Sequence, residues 1–116
     1  MENELRVKSL GAPDETTTFD NGRLETTQVG DVSYMVGTVE PGWVWSRDNG
    51  PAMGTESCPL AHRVYMVAGT ITVEMDDGTR ETLSKGDVAV IPPGHDAWTN
   101  GDEQAVFLDV RPEGVR

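Results

Sequence analysis

A single cysteine, Cys58, in 116 residues excludes an internal disulfide and with it a stapled secreted scaffold. It leaves three roles for that residue: a buried thiol, a reactive thiol or a metal ligand. Positive charge is also scarce. Nine Lys and Arg, of which only Lys8 and Lys85 are lysine, face 20 Asp and Glu, for a net charge of −11. The bases form no cluster, so a surface for nucleic acid or an anionic membrane is excluded, since such surfaces work through Lys and Arg and the counterions they displace. No apolar run approaches the ~20 residues of a membrane helix. The segment Met1 to Leu10 alternates charged and apolar residues and lacks the basic-then-apolar order of a signal peptide. A cytoplasmic location is the expectation.

The acids are scattered along the whole length, ten Asp and ten Glu, a pattern that keeps a surface hydrated under strong screening, as in halophilic proteins. A salt-adapted source is therefore expected, and a melting temperature that fails to rise between low and molar salt would contradict it.

Helical periodicity is missing too. No stretch places apolar residues three and four apart over ten or more positions, whereas short alternating runs recur between turn signals, so the chain reads as all-β. The runs are Val32 to Val39, Trp43 to Ser46, His62 to Ala68, Ile71 to Met75, Arg80 to Leu83, Val88 to Ile91, His95 to Thr99 and Gln104 to Val110. Gly69-Thr70 and Asp77-Gly78 read as two-residue hairpin turns. Lys85-Gly86-Asp87 and Asn100-Gly101-Asp102 mark further reversals, and Pro92-Pro93-Gly94 ends a strand because two residues lack an amide donor. Short strands at spacings of about eight to twelve residues indicate a sandwich or small barrel. Residues 1–30 are more polar and hold two weaker candidates, Thr16 to Phe19 and Leu24 to Thr27, so they read as strands or an arm packed on a barrel formed by residues 31–116.

Four side chains have the type and placement that metal or acid-base chemistry needs: Glu56, Cys58, His62 and His95. They include the only Cys and both His. In an extended segment Glu56, Cys58 and His62 share one parity, and His62 also shares it with the core positions Val64 and Met66. A sheet that closes on itself brings His95 against them. Without a metal, the same residues are a rim carboxylate, a core thiol and two hydrogen-bonded imidazoles.

The spacing of these residues resembles the cupin superfamily of small β-barrels, known by two motifs on neighbouring strands. Gly50, five residues, Glu56, one, Cys58, three, His62, six, Gly69 fits the first motif without a gap, with Glu, Cys and His where His, His and Glu are usual. Gly86, five residues, Pro92, one, Gly94 fits the first half of the second, after which Ala97 stands at the usual metal-binding His and Gly101 at the usual Asn. His95 lies two positions before Ala97 and has the same parity. The stretches around Cys58 and Ile91 to Trp98 also look like a subgroup of short prokaryotic cupins, in which this altered set recurs. The resemblance implies a double-stranded β-helix or jelly-roll barrel, a site adapted to other ligands, and a homodimer paired through edge strands.

A thiolate, two imidazoles and a carboxylate suit Zn²⁺ in a tetrahedron. The thiolate favours Zn²⁺ or Cu over Mn²⁺ and Mg²⁺, with Fe²⁺ and Ni²⁺ as further alternatives. The expected site is therefore Cys58, His62 and His95 with Glu56 as fourth ligand or as general acid/base. The expected function is a metal in the barrel that binds or acts on a small organic molecule, the competing reading being a non-catalytic binding or sensing module with a structural metal or none. Asp96 has the parity opposite to His95 and reads as a surface carboxylate or one that orients a His ligand. Asp76-Asp77-Gly78 lacks the later carboxylate of a calcium loop. Ser46 and Ser57 have no visible His-Asp relay, and Cys58 with His62 could form a nucleophile and base pair. Trp43, Trp45 and Trp98, with Met35, Met53, Met66 and Met75, could line a barrel mouth, and Arg47 or Arg63 could meet a carboxylate there.

Overall fold

In a computed structural model, residues 4–112 are described, so 1–3 of the expected arm and 113–116 of the expected barrel lie outside the description. Nine strands run β1 Glu15–Phe19, β2 Gly22–Val29, β3 Val32–Val39, β4 His62–Ala68, β5 Thr70–Met75, β6 Arg80–Ser84, β7 Val88–Ile91, β8 His95–Thr99 and β9 Ala105–Pro112. Two single-turn helices, α1 Trp45–Asp48 and α2 Gly50–Met53, fall between β3 and β4. All pairings are antiparallel. One sheet has the order β1-β2-β3-β9-β4-β7 and the other β6-β5-β8. The chain is thus all-β, with the two-sheet jelly-roll arrangement of a small cupin barrel.

Alternation along the strands builds the interior. Val64 and Met66 of β4, Ile71 and Val73 of β5, Ile91 of β7 and Ala97 of β8 are buried at the inward parity of their strands, as a face shared by two packed sheets requires, and Thr72 of β5 is buried on the other face. The inward row of β9 is Ala105, Phe107, Asp109 and Arg111. Phe107 lies over Gly37 of β3, where an added Cβ would fall 2.2 Å from the ring, so the absence of a side chain makes room for the aromatic.

Two readings of the sequence need correction. Trp43 to Ser46 is not a strand: only Val44 makes a bridge, to Trp98. The Asp48 carboxylate accepts the Val44 N–H at 3.1 Å, and Asp48 N donates to Val44 O at 2.8 Å, which turns the backbone into α1. The Arg47 guanidinium, with help from that N–H and against the opposing effect of burial, holds the Asp48 carboxyl down to about 2. Gly69-Thr70 is likewise no hairpin, because β4 and β5 belong to different sheets. The chain changes sheet at Gly69 with φ +71°, and a Cβ there would sit 2.4 Å from Gln104 O. Asp77-Gly78 is the β5–β6 hairpin turn expected, with Gly78 at φ +93° and Thr79 N donating to Asp77 Oδ1 at 2.9 Å.

The polar N-terminal third adds to the large sheet. β2 pairs with β3 along its full length, from Gly22↔Val39 to Val29↔Val32, and β1 forms the outer edge on β2. Among the described residues no helix is long and apolar enough to cross a membrane.

Candidate metal centre

The starts of two strands and one loop converge on the site. His62 opens β4 opposite Ile91 of β7, and His95 opens β8 opposite Met75 of β5. Cys58 precedes β4 and is pinned to β8 by a two-bond bridge: its N–H donates to His95 O at 2.7 Å, and its carbonyl accepts from Gly94 N at 2.7 Å. Gly94 carries φ +91° and ends the Pro92-Pro93-Gly94 turn that delivers His95 inward. The Cys58 Sγ and one ring nitrogen from each of His62 and His95 lie within 4.8 Å of one another. The two imidazoles meet edge to face with centroids 5.1 Å apart. Cys58 and His95 are buried, and His62 is half-buried.

The partners of the two rings settle which nitrogen faces the thiol. His62 Nδ1–H donates to Asp109 Oδ2 at 2.7 Å, and His95 Nδ1–H donates to Pro92 O at 2.8 Å. In each ring this leaves Nε2 as the ligand atom, the arrangement in which a carboxylate or carbonyl orients a metal-binding imidazole. His62 Nε2 lies 3.5 Å from Cys58 Sγ. Asp109 is 3 % exposed and has further donors in Arg63 N at 3.1 Å and Arg111 Nη2 at 3.2 Å. That count of donors is what a buried carboxylate needs.

Charges within the cluster reinforce each other. Burial pushes the Cys58 thiol up, but hydrogen bonds from His62 and His95 outweigh it and bring the group down to about 6. Burial likewise lowers His62, and the Asp109 and Cys58 partners outweigh that and raise it to about 9. Both shifts favour a thiolate beside an imidazolium in the metal-free protein.

The structure therefore unites three of the four residues singled out from the sequence. Glu56, expected as fourth ligand or acid/base, is exposed and is not among the gathered ligand atoms. Its shared parity with Cys58 presupposed an extended backbone, whereas Glu56 and Ser57 form a bend. Asp109 is the carboxylate that serves the site instead. Its signal in the sequence is a lone acid at the inward parity of an otherwise apolar run, Val106 to Val110. Asp96 does not orient a histidine: it accepts from Ser46 N at 2.9 Å and Ser46 Oγ at 2.7 Å, tying β8 to the start of α1.

Behind the three ligand atoms lies a cavity of about 190 Å³. Trp43, Trp45, Met35 and Met53 line it as expected, whereas Met66 and Met75 do not, and Trp98 faces away under the Arg80 guanidinium, 5.2 Å from its ring centroid. Neither Arg47 nor Arg63 lines the cavity; Arg111 does.

Comparison with known proteins agrees with this fold. Residues 59–111 match the family model described as Cupin domain, a span that includes His62, His95, Asp109 and Arg111. No curated protein matches the sequence. Among solved structures, an oxalate decarboxylase formate complex from Lactobacillus farciminis is similar at 22% identity and a TM-score of 0.61, covering 87% of this chain and 31% of its own. A cupin-superfamily sugar phosphate isomerase from Silicibacter pomeroyi is 20% identical, with a TM-score of 0.62 over 81% of this chain and 60% of its own. The polyketide cyclase RemF from Streptomyces resistomycificus is 18% identical, with a TM-score of 0.61 over 81% of this chain and 66% of its own. The chain thus spans about a third to two thirds of these proteins, and at such identities the likeness shows the fold.

Proposed function

We propose that this chain is a member of the cupin superfamily that holds one divalent metal through Cys58 Sγ, His62 Nε2 and His95 Nε2 and presents it to a small organic molecule in the barrel. The observation that carries the reading is the pair of Nδ1–H bonds, His62 to Asp109 and His95 to Pro92, which leave the Nε2 of each ring as the atom available beside one thiol. A Cys-His-His donor set fits Zn²⁺ best, with Cu, Fe²⁺ and Ni²⁺ behind it. Three protein ligands leave a position for a bound molecule, where a metal supplies Lewis-acid polarisation of an oxygen. Asp109 and Pro92 fix the rings, and the apolar walls exclude water.

A binding or sensing role has one observation in its favour. Asp109, the carboxylate nearest the cluster, is already engaged by His62, Arg63 N–H and Arg111, so it is not free to move a substrate's proton. The exposed Val88 and Val90 of β7, beside Tyr65 and Val67 of β4, support a homodimer built on this edge of the large sheet. The acidic surface and scarce lysine support a salt-adapted protein.

Metal analysis of protein purified without added metal tests the reading. One equivalent is expected in the natural chain and less than a tenth in Cys58→Ser and His62→Ala; unchanged content in both variants would end it.

A further inference from the structure

The cavity behind the ligand atoms is large relative to one water and almost wholly apolar. Its volume is about 190 Å³, and an apolar cavity of roughly 150 Å³ holds one benzene ring. Its walls include the aromatic and sulfur side chains Phe19, Trp43, Trp45, Phe107, Met35 and Met53, which favour ring edges and faces. The polar lining is grouped at one place, because Cys58, His62, Asp109 and Arg111 touch one another in a chain and His95 meets His62 edge to face. The remaining polar residue, Asn49, has its carbonyl oxygen engaged by Trp43 Nε1–H at 2.8 Å, which leaves its amide N–H₂ as the one polar group away from that cluster. A polyol would leave several hydroxyls unpaired against these walls, at a cost that excludes it.

Charge narrows the class further. A divalent metal together with the Cys58 thiolate, the Asp109 carboxylate and the Arg111 guanidinium carries one net positive charge. A single anionic oxygen neutralises it, and a dicarboxylate overshoots it while placing its second charge among the aromatic walls. Resting on the metal reading above, we infer that the ligand is a single-ring apolar molecule with one acidic oxygen, a phenol or an aromatic monocarboxylate, with the oxygen on the metal and the ring between the tryptophans and Phe107.

Titration of the Co²⁺-loaded protein with phenol, benzoate, glycerol and malonate tests this, read both by the visible Co²⁺ bands and by tryptophan fluorescence. Phenol and benzoate are expected to saturate both signals at concentrations at least tenfold below glycerol and malonate. Stoichiometric Co²⁺ binding with no preference for the ring compounds would overturn the inference and leave the metal site standing. Failure to bind Co²⁺, with quenching by phenol and by toluene alike, would overturn the metal reading and with it the oxygen-on-metal part of the inference. Leu24→Trp, on the half-buried cavity wall of β2, should weaken phenol at least tenfold with Co²⁺ stoichiometry kept, and Leu24→Ala should strengthen binding of a two-ring naphthol. Unchanged affinities in both variants would place the probes elsewhere and overturn the assignment.

Discussion

At the scale of single residues, the site depends on groups that hold its ligands as much as on the ligands. Asp109→Asn keeps an acceptor near His62 Nδ1 but removes the charge, and losses of this kind lower metal affinity about 10- to 100-fold. Competition with a chelator measures it. Glu56→Gln, at an exposed bend, should leave that affinity within about twofold. The protons give a second prediction. His62 is raised to about 9, so its contribution to stability is full below its ordinary value of 6.5 and lost as pH rises through 9. Cys58 is lowered to about 6, so its contribution is full above 9.0 and lost as pH falls through 6. The two slopes oppose each other, because a thiolate with an imidazolium carries as many protons as a thiol with a neutral imidazole. The pair therefore adds almost no pH dependence to stability between 6.5 and 9. It does govern metal binding: in that window loading expels a proton from His62 and none from Cys58. The ultraviolet absorbance of the thiolate in metal-free protein tests the pairing: it should be present at pH 7.5 and fade as pH drops through about 6, and a thiolate that appears only near pH 9 would refute it.

At the scale of elements, much of the architecture was legible in the sequence and some was not, for identifiable reasons. The alternation in β3, β4, β5, β7 and β8 marks strands because half-buried strands sort their residues by parity. His62 and His95 could be placed inside on that ground alone. Parity fails where the backbone leaves the extended state, as at Glu56-Ser57 and at Trp45, where local carboxylate capping by Asp48 turns the chain. It also says nothing about which sheet a strand joins, so Gly69 reads as a hairpin turn when it is a crossing between sheets. Asp109 escaped because its partner, His62, is 47 positions away and meets it only once β9 lies beside β4. Gly69→Ala tests the crossing. With φ +71° and Gln104 O only 2.4 Å from the new Cβ, it should cost about 2–4 kcal/mol in chemical denaturation, where a true two-residue hairpin would tolerate more adjustment.

At the scale of the whole molecule, a surplus of negative charge surrounds a barrel whose soft ligands lie in one place. The charge of −11 is spread over turns and outward positions, and the exposed valines of β7 stand out against it. If two copies pair there, Val90→Lys should shift the mass measured by light scattering at micromolar concentration from dimer to monomer while leaving the metal site intact. The central claim is that Cys58, His62 and His95 together bind a metal, and Co²⁺ titration of the metal-free protein tests it most directly. The account predicts saturation at one equivalent, intense visible bands of a four-coordinate ion and a near-ultraviolet thiolate-to-Co²⁺ band that disappears in Cys58→Ser. Weak bands of an octahedral ion, or a spectrum that Cys58→Ser leaves unchanged, would contradict it.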